Sequence, residues 1–510
     1  MKPIVDQNRN LVNNFLFFIM SSDMQQISRF ILLFLVILTV VTGVAAQDQT
    51  AAERQGRAFI EAISTGDRSK VRRFVEANFA SEMLGLPMEQ HLNFASNHYD
   101  SSRGYEVVSV QETIPNGATL LLKNKLTGSY AAMAFMVEDK TPFKIRGIGS
   151  RPPKAPAAAN RILSNADISK ELEGFLKRLA DADVFSGAVL LAKDGVPVYK
   201  AAYGTANKDY GVPNKIDTKF NLGSMNKMFT AVSVAQLVEK GKLSFDDPLS
   251  KFIPDFPDSE SAKKIQIKHL LSHTAGLGPY FTKRYQDMSR NKLRTVDDMM
   301  ALAKQDEKLL FEPGSKWQYS NTGMLVLGKI IEIVSGQSYF DYVRENIYKP
   351  AGMINTDAYE LDKVNPNLAV GYHKTFTDNG IVWSNNVFQH VMRGGPQGGG
   401  YSTVEDLLRF DQALRGGKLV SPAMVKVLTT PKPELNSRNY GYGFNANTAE
   451  GTAGHGGGFT GIHSNLNMFL NSGWTAIIMS NYSLAGFPVM EKMDSLIKQS
   501  ESKAAVADKK

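Results

Sequence analysis

No cysteine occurs anywhere in the 510 residues. That excludes a disulfide framework, a thiolate metal site and a lipid-modified cysteine anchor, so the fold must stand on its core alone. Long apolar runs are nearly absent as well. The one that stands out, Phe30 to Val41, is short for a membrane-spanning helix. Charge of one sign is not concentrated: 58 basic and 50 acidic residues alternate to a net +8. Without a basic stripe interleaved with aromatics, nucleic acid is not expected as a partner. What is present, 43% hydrophobic and 21% charged, is an ordinary globular composition, long enough for two or three domains.

The apolar run has the layout of an export signal. Arg29 sits in a short basic region ahead of it, and Val44-Ala45-Ala46 offers a small-residue cleavage site. We expect a signal peptide over 1–46 and an exported protein, periplasmic or secreted, with cell-envelope association. Met24 is the natural start of such a leader, which makes 1–23 an upstream mis-start. An uncleaved N-terminal membrane anchor is the alternative.

Residues 47–150 read as a small α+β domain. Helical patterns cover 47–65, Gly66 to Asn78 and Met88 to His98, and strands follow at Tyr105–Thr113, Ala118–Leu126, Tyr130–Glu138 and Phe143–Ile148. Asn116-Gly117 between two apolar runs is a hairpin signal. Helices followed by four strands resemble the cone-shaped NTF2-like fold, though no short motif supports it. Residues 151–160 (RPPKAPAAAN) are a Pro/Ala linker.

From 161 to 500 a second domain opens with a helix near Ser169 and two strands, Gly187–Ala192 and Val196–Ala202. It closes with a second strand pair, Ile462–Leu470 and Trp474–Asn481, and a last helix from Phe487. Strands at both ends around a helix-rich middle predict one antiparallel sheet carrying a helical lobe. Residues 501–510 are a polar tail.

Ser224-Met225-Asn226-Lys227 opens the most apolar helix of that lobe, which Gly241 ends. Residues three apart share a helix face, so the Lys227 amine falls within reach of the Ser224 hydroxyl. A serine needs a base to act as a nucleophile, and a lysine can be that base only when neutral. Read alone, the pair is equally an N-capping serine and a snorkelling lysine. Two further polar clusters sit before regular elements. Tyr319-Ser320-Asn321 precedes an apolar helix (Met324 to Val334), and Gly454-His455-Gly456-Gly457-Gly458 precedes the strand from Ile462. Gly456, Gly458 and Gly461 fit G-x-G-x-x-G, but that motif must open a helix, and here a strand follows. His269 and His273, four apart, lack the glutamate of a zinc helix, since position 270 is leucine. No metal and no cofactor are expected.

In this order and spacing, S-x-x-K (Ser224–Lys227), Y-x-N (Tyr319–Asn321) and H-x-G (His455–Gly457) resemble the serine β-lactamase and penicillin-binding-protein superfamily. The closest branch is the class C-like one of esterases, D-alanyl peptidases and D-aminopeptidases. Leu270–Leu277 (LLSHTAGL) and Phe311-Glu312-Pro313-Gly314 add to the likeness.

The resemblance implies a β-lactamase/transpeptidase-like fold and a serine hydrolase. Its substrate would be a small ester, amide or peptide, cleaved through an acyl-enzyme on Ser224. It implies Lys227 and Tyr319 as a coupled base pair. Ser224 and Gly458 would form the oxyanion hole, and Asn321, His455, Gly456 and Gly457 would bind substrate. The glycine-rich stretch Gly394–Gly400 should border the cleft. His455 and Gly456 stand where lactamases carry Lys and Thr of K-T-G, so a grip on a substrate carboxylate is weakened. An esterase or peptidase is therefore expected over a true β-lactamase. The alternatives are a weak β-lactamase and an inactive cell-wall-peptide binder.

Overall fold

A computed structural model describes residues 49–156, 162–303 and 308–501. The export signal, the cleavage site and the polar tail lie outside the described residues, as does part of the linker.

In the first domain, helices α1 (Ala51–Ile63), α2 (Arg68–Asn78) and α3 (Met88–Ser102) precede an antiparallel sheet. Its strands β1 (Tyr105–Ile114), β2 (Gly117–Asn124), β3 (Tyr130–Val137) and β4 (Ile145–Arg151) lie in chain order. Thr50 and Asp67 start α1 and α2 by accepting backbone N–H groups in their first turns. On α1, Ala52, Gly56, Phe59, Ile60 and Ile63 are buried at helical spacing. They pack on Leu120, Leu122, Met133 and Phe135 of the sheet, which alternate with outward residues along their strands. Asn116 takes the left-handed conformation that the two-residue hairpin turn needs.

The second domain begins with α4 (Asn165–Asp181), four residues before the start expected at Ser169. The reason is a capping box: Ser164 accepts the Asp167 N–H, and the Asp167 side chain accepts the Ser164 N–H. Six antiparallel strands follow in the order β9-β10-β11-β12-β5-β6. These are β5 (Gly187–Lys193), β6 (Val196–Tyr203), β9 (Asn445–Asn447), β10 (Thr452–Phe459), β11 (Ile462–Phe469) and β12 (Trp474–Ser480). The two ends of the domain meet where β12 pairs with β5, Ile478 opposite Val189.

Alternation along these strands splits the core. Val189, Leu191 and Ile478 face α4 and the last helix, α7 (Phe487–Glu501), while Ala188, Leu190, Ile477 and Met479 face the helical lobe. In the middle of the lobe runs α5 (Asn226–Glu239), with every residue from Asn226 to Leu237 buried. A helix so placed has no solvent face, which is why its pattern is apolar all round.

Charged contacts join the domains. They centre on a hairpin of the second domain, β7 (Tyr372–Thr377) and β8 (Gly380–Asn385). Lys374 bridges Asp100 at 2.8 Å and donates to the Asp183 carbonyl at 2.7 Å. Arg68 and Arg72 meet Asp378 at the hairpin tip, at 2.9 and 3.0 Å.

Candidate active site

Ser224 stands on a single 3-10 turn, Gly223–Met225, that feeds directly into α5. It caps nothing; its hydroxyl is left for the cleft. Gly223 turns the chain at φ +51°, and a Cβ there would lie 3.1 Å from the Gly458 nitrogen. Gly457 is packed harder still, because its Cβ would fall 2.0 Å from the Leu222 carbonyl oxygen. These two glycines let β10 run against the nucleophile turn and bring the Gly458 N–H beside it. The short strand β9 pairs only with Thr452–Gly454, so β10 is an open edge from His455 onward. The hairpin at Thr460-Gly461 joins strand to strand, as expected when the dinucleotide motif was set aside.

Lys227, in the first turn of the buried helix, is itself fully buried. Its Nζ lies 2.9 Å from Ser224 Oγ and 2.7 Å from Asn321 Oδ1, and it donates to the Gln397 carbonyl. Among the described residues no carboxylate pairs with it. Burial therefore pushes Lys227 well below the ordinary lysine range, and the positive end of α5 works in the same direction.

Tyr319 comes from the loop before α6 (Asn321–Ser335). Ser320 is the N-cap of that helix, accepting the Gly323 N–H at 3.1 Å, so Asn321 is free of capping. The Tyr319 ring lies 4.9 Å from Lys227 Nζ, centroid to nitrogen. The residue is 39% exposed, while its phenol is desolvated. That desolvation pushes the phenol up to about 12, against a smaller pull from the Ser224 hydroxyl. At neutral pH Tyr319 is a phenol.

The cleft above Ser224 is half-open and spans about 730 Å³, open solvent included. Asn321, Gly458 and the Gly394–Gly400 segment line it, together with aromatic residues Tyr280, Phe281, Tyr285 and Phe459. No carboxylate, amine or guanidinium lines it among the described residues. His390, beside Phe459, is held neutral by burial, which pushes it down to about 4.

His455, Gly456 and Gly457 are not among the cleft-lining residues. His455 is 3% exposed and sits behind Tyr319, not in front of it. Its Nδ1–H donates to the Gly456 carbonyl at 2.6 Å, and Nε2 accepts the Tyr440 hydroxyl at 2.9 Å. With both nitrogens used internally it has nothing to offer a substrate. Burial pushes it down to about 3. His269 and His273 also serve the fold: the first accepts the Gln266 N–H and the second the Ser320 N–H.

Sequence reasoning missed the Gln397 carbonyl, the aromatic wall and the rings behind Tyr319. A clue to the first existed. Seven residues with five glycines (GGPQGGG) imply a backbone pressed close to something, here the lysine.

Comparison with known proteins agrees with this geometry. The family model described as Beta-lactamase matches residues 172–492. Penicillin-binding protein 4* of Bacillus subtilis (strain 168) is 31% identical over 327 residues, which cover 61% of this chain and 71% of that protein. Teichoic acid D-alanine hydrolase of Staphylococcus aureus is 27% identical over 299 residues, 57% of this chain and 69% of the relative. The crystal structure of penicillin binding protein from Bacillus halodurans aligns with TM-score 0.56 at 28% identity, over 66% of this chain and 99% of its own. The first domain stands ahead of the family match. From α4 to α7 the chain belongs to the beta-lactamase family, within the superfamily of serine β-lactamases and penicillin-binding proteins.

Proposed function

We propose that the protein is an exported serine hydrolase that cleaves uncharged esters or amides through an acyl-enzyme on Ser224, with neutral Lys227 as the base. One observation carries this reading: Lys227 is buried against Ser224 Oγ and two carbonyl oxygens, with no acid among the described residues to hold it charged. A neutral amine has two hydrogens and one lone pair. The hydrogens go to Asn321 Oδ1 and the Gln397 carbonyl, which leaves the lone pair to accept the Ser224 O–H.

In acylation, Ser224 Oγ attacks the substrate carbonyl carbon and its proton passes to Lys227 Nζ. The N–H groups of Ser224 and Gly458 receive the oxyanion. The new ammonium is held by the same two carbonyls and by the face of the Tyr319 ring. Tyr319 hands its phenol proton to the leaving group as the tetrahedral adduct collapses, and takes the proton that Lys227 holds. Water then repeats the sequence on the acyl-enzyme, with Lys227 again the base. Asn321, its amide oxygen turned to the lysine, has its NH2 for a substrate carbonyl.

The uncharged, aromatic-walled cleft and the inward-facing His455 favour substrates without a free carboxylate. Esterase or amidase chemistry therefore ranks above β-lactam hydrolysis. Comparing kcat/KM for p-nitrophenyl butyrate and nitrocefin tests this. The ester should be the better substrate, and a preference for nitrocefin would mean that carboxylate recognition lies elsewhere in the cleft. Export rests on the apolar run ahead of Ala46, and the N-terminal residue of the secreted protein tests it.

A further inference from the structure

Behind Tyr319 three aromatic rings close on it and on one another, and none of the three lines the cleft. The first is His273, from the LLSHTAGL stretch. The Gln318 N–H donates to its carbonyl at 2.9 Å and the Ser320 N–H to its Nδ1 at 3.3 Å. His273 thus holds the chain on both sides of Tyr319. Its ring also lies against the Tyr319 ring, at 4.4 Å between centroids and tilted 46°. On its other side is Tyr440, at 4.6 Å and the same tilt.

Tyr440 is fixed in turn. Its hydroxyl donates to His455 Nε2, and the two rings stand edge to face at 5.7 Å. Ser437 Oγ, which bonds the Tyr440 carbonyl at 2.9 Å, also reaches the carbonyl of Ser272 at 3.2 Å. His455 completes the circuit 6.3 Å from Tyr319. The Ser320 N–H makes Nδ1 of His273 an acceptor and puts its proton on Nε2, which has no hydrogen-bond partner among the described residues. A buried donor left unpaired calls for an explanation, and the ring contact with Tyr319 supplies one: the imidazole is there for its shape and its Nδ1 acceptor.

We propose that His273 and Tyr440 are positioning residues for Tyr319, and that His455 influences the reaction only through Tyr440. This rests on the hydrolase reading above, in which Tyr319 must place a phenol proton on the leaving group. Tyr319 is 39% exposed as a residue and packs on these rings on its other side, so its orientation is set from there. The swap of K-T-G for H-x-G gains a meaning: the histidine anchors the box and does not grip the substrate.

The test uses His273→Asn. Asparagine accepts the left-handed backbone at this position (φ +63°), and its Oδ1 can still take the Ser320 N–H, so only the ring is lost. Turnover of p-nitrophenyl butyrate should fall about 10- to 100-fold in kcat, as expected for a misplaced catalytic group, with KM changed less than about threefold. In a Tyr319→Phe background the same substitution should change kcat by less than about threefold, because its effect runs through the tyrosine hydroxyl. An equal loss in both backgrounds, or an unchanged kcat, overturns the proposal. Tyr440→Phe, which keeps ring and volume, serves as the second variant should His273→Asn fail to fold. It should lose about 3- to 10-fold in kcat, again only when Tyr319 is present. Fluorophosphonate labelling of wild-type Ser224 is measured alongside, and its absence would strike the hydrolase reading. A crystal structure of His273→Asn with the Tyr319 ring unmoved would strike the positioning role, whatever the turnover.

Discussion

Lys227 Nζ sits 2.9 Å from Ser224 Oγ at the foot of a buried helix, and nothing acidic among the described residues faces it. The two residues are consecutive on one helical face, so the contact is local and depends little on the rest of the domain. What the rest of the domain supplies is dryness and two carbonyls. Together these decide the protonation state of the amine.

A guanidinium cannot be the base this site needs, since it stays charged at any accessible pH. Lys227→Arg should therefore lower kcat/KM for a p-nitrophenyl ester by at least about 1000-fold, while circular dichroism shows the fold retained. Substantial activity in that variant would remove the neutral-lysine base.

The same amine links stability to pH. The folded-state pKa of Lys227 is depressed, so between that value and the ordinary lysine range the unfolded chain binds the extra proton. Wild type should thus lose stability relative to Lys227→Met as pH falls through this window, by up to about 1.4 kcal/mol per pH unit. Denaturant melts of both proteins from pH 10 downward measure the difference. A gap that stays constant, or widens in the other direction, contradicts a neutral Lys227.

Two neighbouring glycines should behave differently. A Cβ on Gly457 collides with the Leu222 carbonyl, so Gly457→Ala should cost about 1–3 kcal/mol and push β10 away from Ser224, with activity lost. A Cβ on Gly458 meets nothing within 4 Å and points into open space. Gly458→Ala should melt within a few degrees of wild type while raising KM. Thermal melts and steady-state kinetics on the pair separate the two effects.

Charged contacts join the domains, together with Leu126, which packs into the second domain's core, and ammonium and carboxylate groups freed by separation are readily solvated. A chain beginning at residue 162 should therefore be soluble and hydrolyse a small ester with kcat/KM within about tenfold of the full chain, on the expectation that domain interfaces of this kind are weak. Aggregation, or loss of activity in a folded product, would show that the first domain completes the hydrolase.

The contrast between what was readable and what was not has a physical pattern. Ser224, Lys227, Tyr319 and Asn321 were legible because their chemistry lies in side chains at fixed spacing before a helix. The sheet was legible from the strands at the two ends of the domain. The direction of His455 was not, since a strand of glycines has no apolar alternation to show which face is inward. The Gln397 carbonyl left only a glycine-rich trace, and His273 became meaningful only when its loop was seen wrapped around Tyr319. The early start of α4 was in the sequence, as Ser164 and Asp167, but a weak apolar pattern there hid it.

The most direct measurement is intact-mass spectrometry with peptide mapping after treatment with a fluorophosphonate. The account predicts one adduct per chain, on the peptide carrying Ser224, absent in Ser224→Ala and slowed by at least about 1000-fold in Lys227→Arg. Labelling that survives in Ser224→Ala, or that maps to another residue, would contradict it.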